Sequence, residues 1–404
     1  MKPIFVLFAC IQSIIAVNEH KLILISFDGF RNDYFSEKDT PNLFKFAKNG
    51  VWGRNMISTF TTKTFPNHFS IVTGYYQETH GIVNNVIFDP IFNETFSMSS
   101  RGNKWWENGL SIPIWVANQM VKNDQYSYVS MWPGSWEEIH GRRPHYSEPY
   151  VEKSNFEKRI EKMIAALSRK RKPANLAVMY FDEPDQTSHH YGPFSKETRE
   201  KIKIVDNLVD FLIKRLEKAN LANQANIIIL SDHGMAEVAF ENMIDLNKIA
   251  DTSCFRVFGS APVLNILAKE GKKELVYEML KKASIKNHFN VYQREEVPRE
   301  YHYSNHRRIL DFVIEAHEGY YVDTVIEKWF RGQKAGVHGY NNSLFSMRPL
   351  FLASGPAFKK QFIYDNLFEN IDLYPLMCKI LDLNLAEFPS NGTFNKVKAL
   401  LKEF

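Results

Sequence analysis

Lys21-Leu22-Ile23-Leu24-Ile25-Ser26-Phe27 runs without interruption into Asp28-Gly29-Phe30-Arg31. A stretch so uniformly apolar is the pattern of a strand covered on both faces, as in a parallel sheet. An aspartate at the carboxyl end of such a strand lies where open α/β sheets place their ligands. Taken alone, Asp28 would serve equally well as a turn residue beside Gly29. The pattern recurs, however. Leu176-Ala177-Val178-Met179-Tyr180-Phe181 ends in Asp182-Glu183-Pro184-Asp185-Gln186-Thr187-Ser188-His189-His190, and Asn226-Ile227-Ile228-Ile229-Leu230 ends in Ser231-Asp232-His233-Gly234-Met235. Further strands are predicted over 126–132, stopped by Pro133-Gly134, and over 350–353. Helices are predicted over 41–49, 155–170 and 196–219, the last with an apolar stripe at Ile202, Val205, Leu208, Val209, Leu212 and Leu216. Between about 250 and 330 a smaller α+β region is predicted, with strands over 263–267 and 309–315 and a helix over 273–283. No repeat, low-complexity tract or Pro/Gly/Ser linker divides the chain, so the reading is a single α/β domain over 17–404 with a mostly parallel sheet and that insertion.

The 404 residues are 44% hydrophobic and 24% charged, a folded globular composition. A formal net charge of +4 is too small and dispersed for polymeric nucleic acid as a specific partner. Lys2 precedes a short apolar run over 4–16 that ends in Ala16, the form of a secretory signal peptide cleaved near that residue. The run is too short for a comfortable membrane span, and no second one follows, so the expectation is a secreted, extracellular protein without a stable membrane anchor. Cys10 leaves with the signal peptide, and Cys254 and Cys378 remain as either one disulfide or two buried thiols. Sequons at Asn93, Asn341 and Asn391 offer sites for N-glycans.

Phe60-Thr61-Thr62-Lys63-Thr64-Phe65-Pro66-Asn67-His68-Phe69-Ser70-Ile71-Val72-Thr73-Gly74 has the punctuation of a buried helix, with proline in its first turn and glycine past its end. Thr64 then falls at the helix start, where free N–H groups and the helix dipole favour negative charge. It either caps the helix or, with its pKa lowered, serves as a nucleophile toward phosphorus.

Around it stand six carboxylate and imidazole groups: Asp28, Asp185, His189, Asp232, His233 and His338. Asp185 and His189 are four apart, one face of a helical turn, and Asp232 and His233 are adjacent at a strand-to-loop junction. Carboxylates do not cluster without cations, and nitrogen plus carboxylate without thiolate suits zinc. Six ligands plus Thr64 divide into two sites, and two metals about 4 Å apart support in-line displacement at phosphorus.

The segments Ser26-Phe27-Asp28-Gly29-Phe30-Arg31, Lys63-Thr64-Phe65-Pro66-Asn67-His68, His80-Gly81-Ile82-Val83-Asn84-Asn85, Asp185-Gln186-Thr187-Ser188-His189, Ser231-Asp232-His233-Gly234-Met235 and His338-Gly339 closely resemble the ectonucleotide pyrophosphatase/phosphodiesterase family, part of the alkaline phosphatase superfamily. The similarity runs in order from about Lys21 to Leu401. It implies an alkaline-phosphatase-like three-layer α/β fold and two Zn2+ ions per chain. One ion would be held by Asp185, His189 and His338, the other by Asp28, Asp232 and His233 with Thr64. Thr64 would be the nucleophile that forms a covalent phosphothreonine intermediate. Asn85 would donate a hydrogen bond to a phosphoryl oxygen; by itself it reads equally well as a turn residue.

Substrate residues are also implied by the resemblance. Phe65 and Tyr150 would sandwich a base, and Trp132, in the Trp132-Pro133-Gly134-Ser135 segment that matches the family stretch preceding the tyrosine, would with Asn85 also contact substrate. Trp136 departs from the family pattern, since the nucleotide-preferring members commonly carry an acidic residue after that serine. The implied activity is hydrolysis of nucleoside 5′-phosphoanhydrides and phosphodiesters (ATP, ADP, dinucleoside polyphosphates, nucleotide esters) to nucleoside 5′-monophosphates. The alternatives are a choline-phosphodiester hydrolase, which would need a cage for a quaternary ammonium, or a catalytically silent nucleotide-binding protein.

Overall fold

The structure, a computed structural model, describes residues 21–121, 124–326 and 334–403. The expected signal peptide lies outside them. The seven-residue run forms β1 (Lys21–Phe27), buried throughout. It lies inside an eight-stranded sheet made, in chain order, with β2 (Val51–Gly53), β3 (Ser127–Ser130), β4 (Tyr146–Glu148), β5 (Leu176–Phe181), β6 (Ala225–Leu230), β7 (Phe351–Ser354) and β8 (Phe362–Tyr364). The spatial order is β8-β2-β7-β6-β1-β5-β3-β4. β1 pairs in parallel with β5 (Ser26 opposite Tyr180) and with β6 (Ser26 opposite Leu230). β3 continues the parallel set on β5 and β4, while β7 runs antiparallel between β6 and β2.

Alternation along β1 sorts its side chains into two cores. Ile23, Ile25 and Phe27 join α1 (Pro41–Lys48), α3 (Phe156–Leu167) and the long α5 (Lys196–Lys218) on one face. Leu22 and Leu24 join α2 (Thr64–Thr73) and the helices Ile114–Val121 and Leu373–Ile380 on the other. Two helical layers on one sheet are what a strand apolar on both sides requires. All six residues of the α5 stripe are buried, and Ser195 caps that helix by accepting from the Thr198 N–H.

The smaller region contains a four-stranded antiparallel sheet in the order Phe255–Ser260, Val263–Ala268, Phe312–Ala316, Phe289–Gln293, packed with the helix Lys273–Ser284. The strand expected from 309 starts at Phe312, because Arg307–Ile309 forms a 3-10 turn and Leu310 has φ +67°. Cys254 and Cys378 are both free, so of the two alternatives the disulfide is excluded; Cys378 is buried and Cys254 only partly so. Asn93 and Asn391 are exposed and Asn341 half-buried. Among the described residues no helix is long and apolar enough to cross a membrane.

Leu212 is buried on the core face of α5, whereas Ile204 is half exposed. Leu212→Ala is expected to destabilise the protein by about 2–5 kcal/mol and Ile204→Ala by less than ~1 kcal/mol, measured as the shift of the urea unfolding midpoint.

Candidate active site

Helix α2 delivers Thr64. Lys63 is its extended N-cap and makes no side-chain cap bond, Thr64 is the first helical residue, and Gly74 ends the helix at φ +71°. A Cβ on Gly74 would sit 2.7 Å from Ser390 and Tyr374 side-chain carbons, so only glycine fits. Every residue of α2 is buried. The Thr64 hydroxyl does not cap the helix: its Oγ1 lies 3.3 Å from His233 Nε2. The Phe65 N–H donates to Asn85 Oδ1 at 3.0 Å. That bond orients the carboxamide, and its NH2 makes no hydrogen bond among the described residues. Asn84 is the turn residue of the pair: its Oδ1 accepts from the Asn85 N–H and from Ser260, and its Nδ2 donates to Val263.

The ligand set comes from the carboxyl ends of β1, β5 and β6. Asp28 follows β1. Asp185 opens α4 (Asp185–Tyr191), which puts His189 one turn on. Asp232 and His233 follow β6, and His338 follows the strand Lys334–Val337. Gly29 permits their approach, since at φ +64° a Cβ there would lie 2.8 Å from the Asp185 Cβ. Asp185, His189 and His338 present ligand atoms within 4.8 Å of one another, as do Asp28, Asp185 and His233. Asp232 adjoins the second group, with Oδ2 at 3.0 Å from His233 Nε2, while Asp28 Oδ1 lies 3.2 Å from that same nitrogen. Asp185 therefore stands between the two groups, a position the sequence grouping had not given it.

Hydrogen bonds determine what these atoms are. His189, His233 and His338 each have Nδ1 at 2.8 Å from a backbone carbonyl, of Gly336, Gly234 and Thr62 respectively. A carbonyl only accepts, so each Nδ1 donates, and in the neutral ring Nε2 is a lone pair. At His189 and His338 that lone pair faces carboxylate oxygens. At His233 burial is outweighed by the charge of Asp232, which holds the ring above the usual imidazole value and favours a proton on Nε2. Asp28 Oδ1, Asp185 Oδ1 and Asp232 Oδ2 are buried and have no hydrogen-bond partner. Burial, followed by the charges of Asp232 and Asp185, holds Asp28 well above the usual carboxylate range. Burial, followed by the charges of His233, Lys63 and His189, holds His338 well below the usual imidazole value. A convergence of buried carboxylates and imidazoles under mutual repulsion suits a divalent cation. The His233 and Asp232 side chains are fully enclosed, whereas His189 is 29% exposed, so one end of the set is dry and the other open.

The rim residues separate. Tyr150 is 43% exposed and its hydroxyl donates to Asp182 Oδ2 at 3.0 Å. Phe65 is mostly buried among Phe96, Trp106 and Trp136. Trp132 has no exposed surface, and its Nε1 donates to the His68 carbonyl. The expectation that it touches substrate is thereby corrected, because it braces α2 from beneath. Sequence reasoning gave no role to Tyr180, whose hydroxyl donates to Asp28 Oδ2 at 2.7 Å, to Asp182, or to Lys63, whose buried ammonium donates to the Ala261 carbonyl. Nor did it assign His68, although the four-residue step from Thr64 along one helix was a readable signal.

Asp185 contributes to both groups and His189 to one. Asp185→Ala is expected to lower retained divalent metal more than His189→Ala does, counted by elemental analysis of dialysed protein.

The sequence matches the family described as type I phosphodiesterase / nucleotide pyrophosphatase over residues 22–341. It is 40% identical to human ectonucleotide pyrophosphatase/phosphodiesterase family member 5 over 95% of this chain and 78% of that protein. It is 40% identical to human bis(5′-adenosyl)-triphosphatase ENPP4 over 94% of this chain and 82% of that protein. Murine ectonucleotide pyrophosphatase/phosphodiesterase 5, solved as an inactive threonine-to-alanine form in complex with AMP, superposes with a TM-score of 0.89 at 39% identity, covering 95% of this chain and 100% of that one. The fold, the ordered motifs and these similarities together show that the chain belongs to the type I phosphodiesterase / nucleotide pyrophosphatase family of hydrolases.

Proposed function

We propose that the protein is a secreted hydrolase that cleaves nucleoside 5′-phosphoanhydrides and phosphodiesters to nucleoside 5′-monophosphates, with Thr64 as nucleophile and two zinc ions as cofactors. The observation that carries the reading is the Thr64 hydroxyl, 3.3 Å from His233 Nε2, beside three buried carboxylate oxygens that have no other partner. Asp185, His189 and His338 would hold one ion, and Asp28, Asp232 and His233 the other. When bound, the ions supply positive charge that lowers the pKa of the Thr64 hydroxyl and offsets negative charge developing on the phosphoryl group.

The chain's own groups do the rest. The Thr64 oxygen attacks phosphorus, the bond to the leaving oxygen breaks, and a threonine phosphoester forms. Water then cleaves that ester and releases the nucleoside monophosphate. The Asn85 NH2, oriented by the Phe65 N–H, donates to a phosphoryl oxygen as it gains charge. Burial of α2 keeps bulk water from the nucleophile's inner side. Tyr150, exposed and tethered to Asp182, offers a face for a nucleobase. A nucleotide substrate is supported by the AMP complex of the murine relative and by the name of ENPP4. Secretion is supported by the apolar run over 4–16 and the three sequons.

The test is hydrolysis of p-nitrophenyl thymidine 5′-monophosphate beside p-nitrophenyl phosphorylcholine and p-nitrophenyl phosphate, with and without a zinc chelator. Turnover of the nucleotide ester, lost on chelation and restored by zinc, is expected, and Thr64→Ala should lower kcat by roughly 10^3-fold or more. Turnover of the choline ester instead would discard the nucleotide assignment; no turnover of any ester by zinc-loaded, folded protein would revive a silent binding protein. Tyr150→Ala is expected to raise KM for the nucleotide ester by roughly 5- to 150-fold, the worth of one stacked base, with kcat nearly unchanged.

A further inference from the structure

We infer that His68 is a positioning residue for the reaction, holding the nucleophile and the enclosed ligand group in one fixed register; the inference rests on the reading of Thr64 as nucleophile. The His68 ring is fully buried. Its Nδ1 lies 2.8 Å from the Thr64 backbone carbonyl and 3.3 Å from Asp232 Oδ2. The carbonyl accepts only, so Nδ1 carries the proton and donates to the nucleophile's own peptide group, with a carboxylate of the ligand set alongside at 3.3 Å. Nε2 lies 2.9 Å from Ser26 Oγ, on the strand that ends in Asp28 two residues later, so the Ser26 hydroxyl donates to it.

The ring is held by what surrounds it. Trp132 and Tyr180 meet it edge to face, with centroids 4.7 and 5.0 Å away, and Tyr180 is the residue whose hydroxyl donates to Asp28. Trp132 also donates to the His68 carbonyl. One imidazole thus joins β1, the start of α2 and the end of β6. An apolar side chain would fill the same slot without the cost of burying two ring nitrogens. What only this ring supplies is a donor at the δ position that bonds the Thr64 carbonyl while facing the Asp232 carboxylate.

The test separates that donor from bulk. Asparagine keeps a donor near the Nδ1 position, and glutamine keeps a polar group near Nε2 only. His68→Gln and His68→Asn would be compared with wild type in zinc-saturated turnover of p-nitrophenyl thymidine 5′-monophosphate, with melting temperature recorded for each. The expected result is a kcat about 10- to 100-fold lower in His68→Gln, KM within about twofold of wild type, and recovery of most of the loss in His68→Asn. Equal losses that track melting temperature, or wild-type kcat in both variants, would overturn the inference while leaving the nucleophile assignment in place. An inactive wild type would overturn both. Should neither His68 variant fold, Ser26→Ala decides, since it leaves the ring in place: a lowered kcat at unchanged KM supports the positioning role, and an unchanged kcat removes it.

Discussion

Acceptors facing acceptors are the constraint on which this structure depends. Three imidazole Nε2 atoms and three buried carboxylate oxygens without a hydrogen-bond partner converge beside the carboxyl ends of β1, β5 and β6. Such an arrangement is unfavourable in a low-dielectric interior unless positive charge enters it. The cost is borne by what surrounds the cluster. Backbone carbonyls fix all three Nδ1 donors, Tyr180 satisfies the second oxygen of Asp28, and the Gly29 N–H and the Ser231 hydroxyl approach Asp232 Oδ1. The surroundings orient the ligands and leave the centre to be neutralised.

Parallel pairing makes the convergence possible. β1, β5 and β6 run in register side by side, so their carboxyl ends finish at one edge, and a residue just past each strand is a neighbour of the others. The two helical layers bury both faces of that sheet, leaving its edge as the place where charged groups can gather. Helix α2 then approaches the edge with its first turn, so Thr64 arrives at the positive end of the helix dipole. Position and electrostatics of Thr64 are one consequence of strand direction and helix direction together.

Much of this was legible in the sequence, for a physical reason. Apolar runs followed at once by acidic residues encode both a buried parallel strand and what stands at its end, so β1, β5 and β6 and their ligands could be read together. The stripe of α5 was legible because a helix with one buried face must repeat every three to four residues. Less legible were features that depend on contacts between distant segments. That Asp185 stands between both groups follows from Gly29 letting α4 approach β1, which no spacing encodes. Trp132 looked like a rim residue because its segment matched one in the family, yet its indole turns inward to the His68 carbonyl. Phe65 is enclosed in part by Trp136, which stands where the nucleotide-preferring members commonly carry an acidic residue, a packing no motif encodes.

The buried polar layer under α2 explains why this helix is so polar although none of its residues is exposed. Asn67 accepts from Thr59 and donates to the carbonyls of Thr61 and Lys63, Ser70 meets His80, and Gln77 donates to the Thr61 carbonyl. Each group would cost a desolvation penalty if left alone, and almost all are paired. The pairs run largely to the 59–63 segment that leads into Thr64, so they fix the entry angle of the chain as well as the helix. An apolar core would hold α2 in place with less desolvation cost, but it would allow rotation and slippage that directional bonds forbid. A hydroxyl held 3.3 Å from His233 at the edge of the ligand set is kept oriented by those bonds, and on the proposed mechanism orientation is what the Thr64 hydroxyl needs.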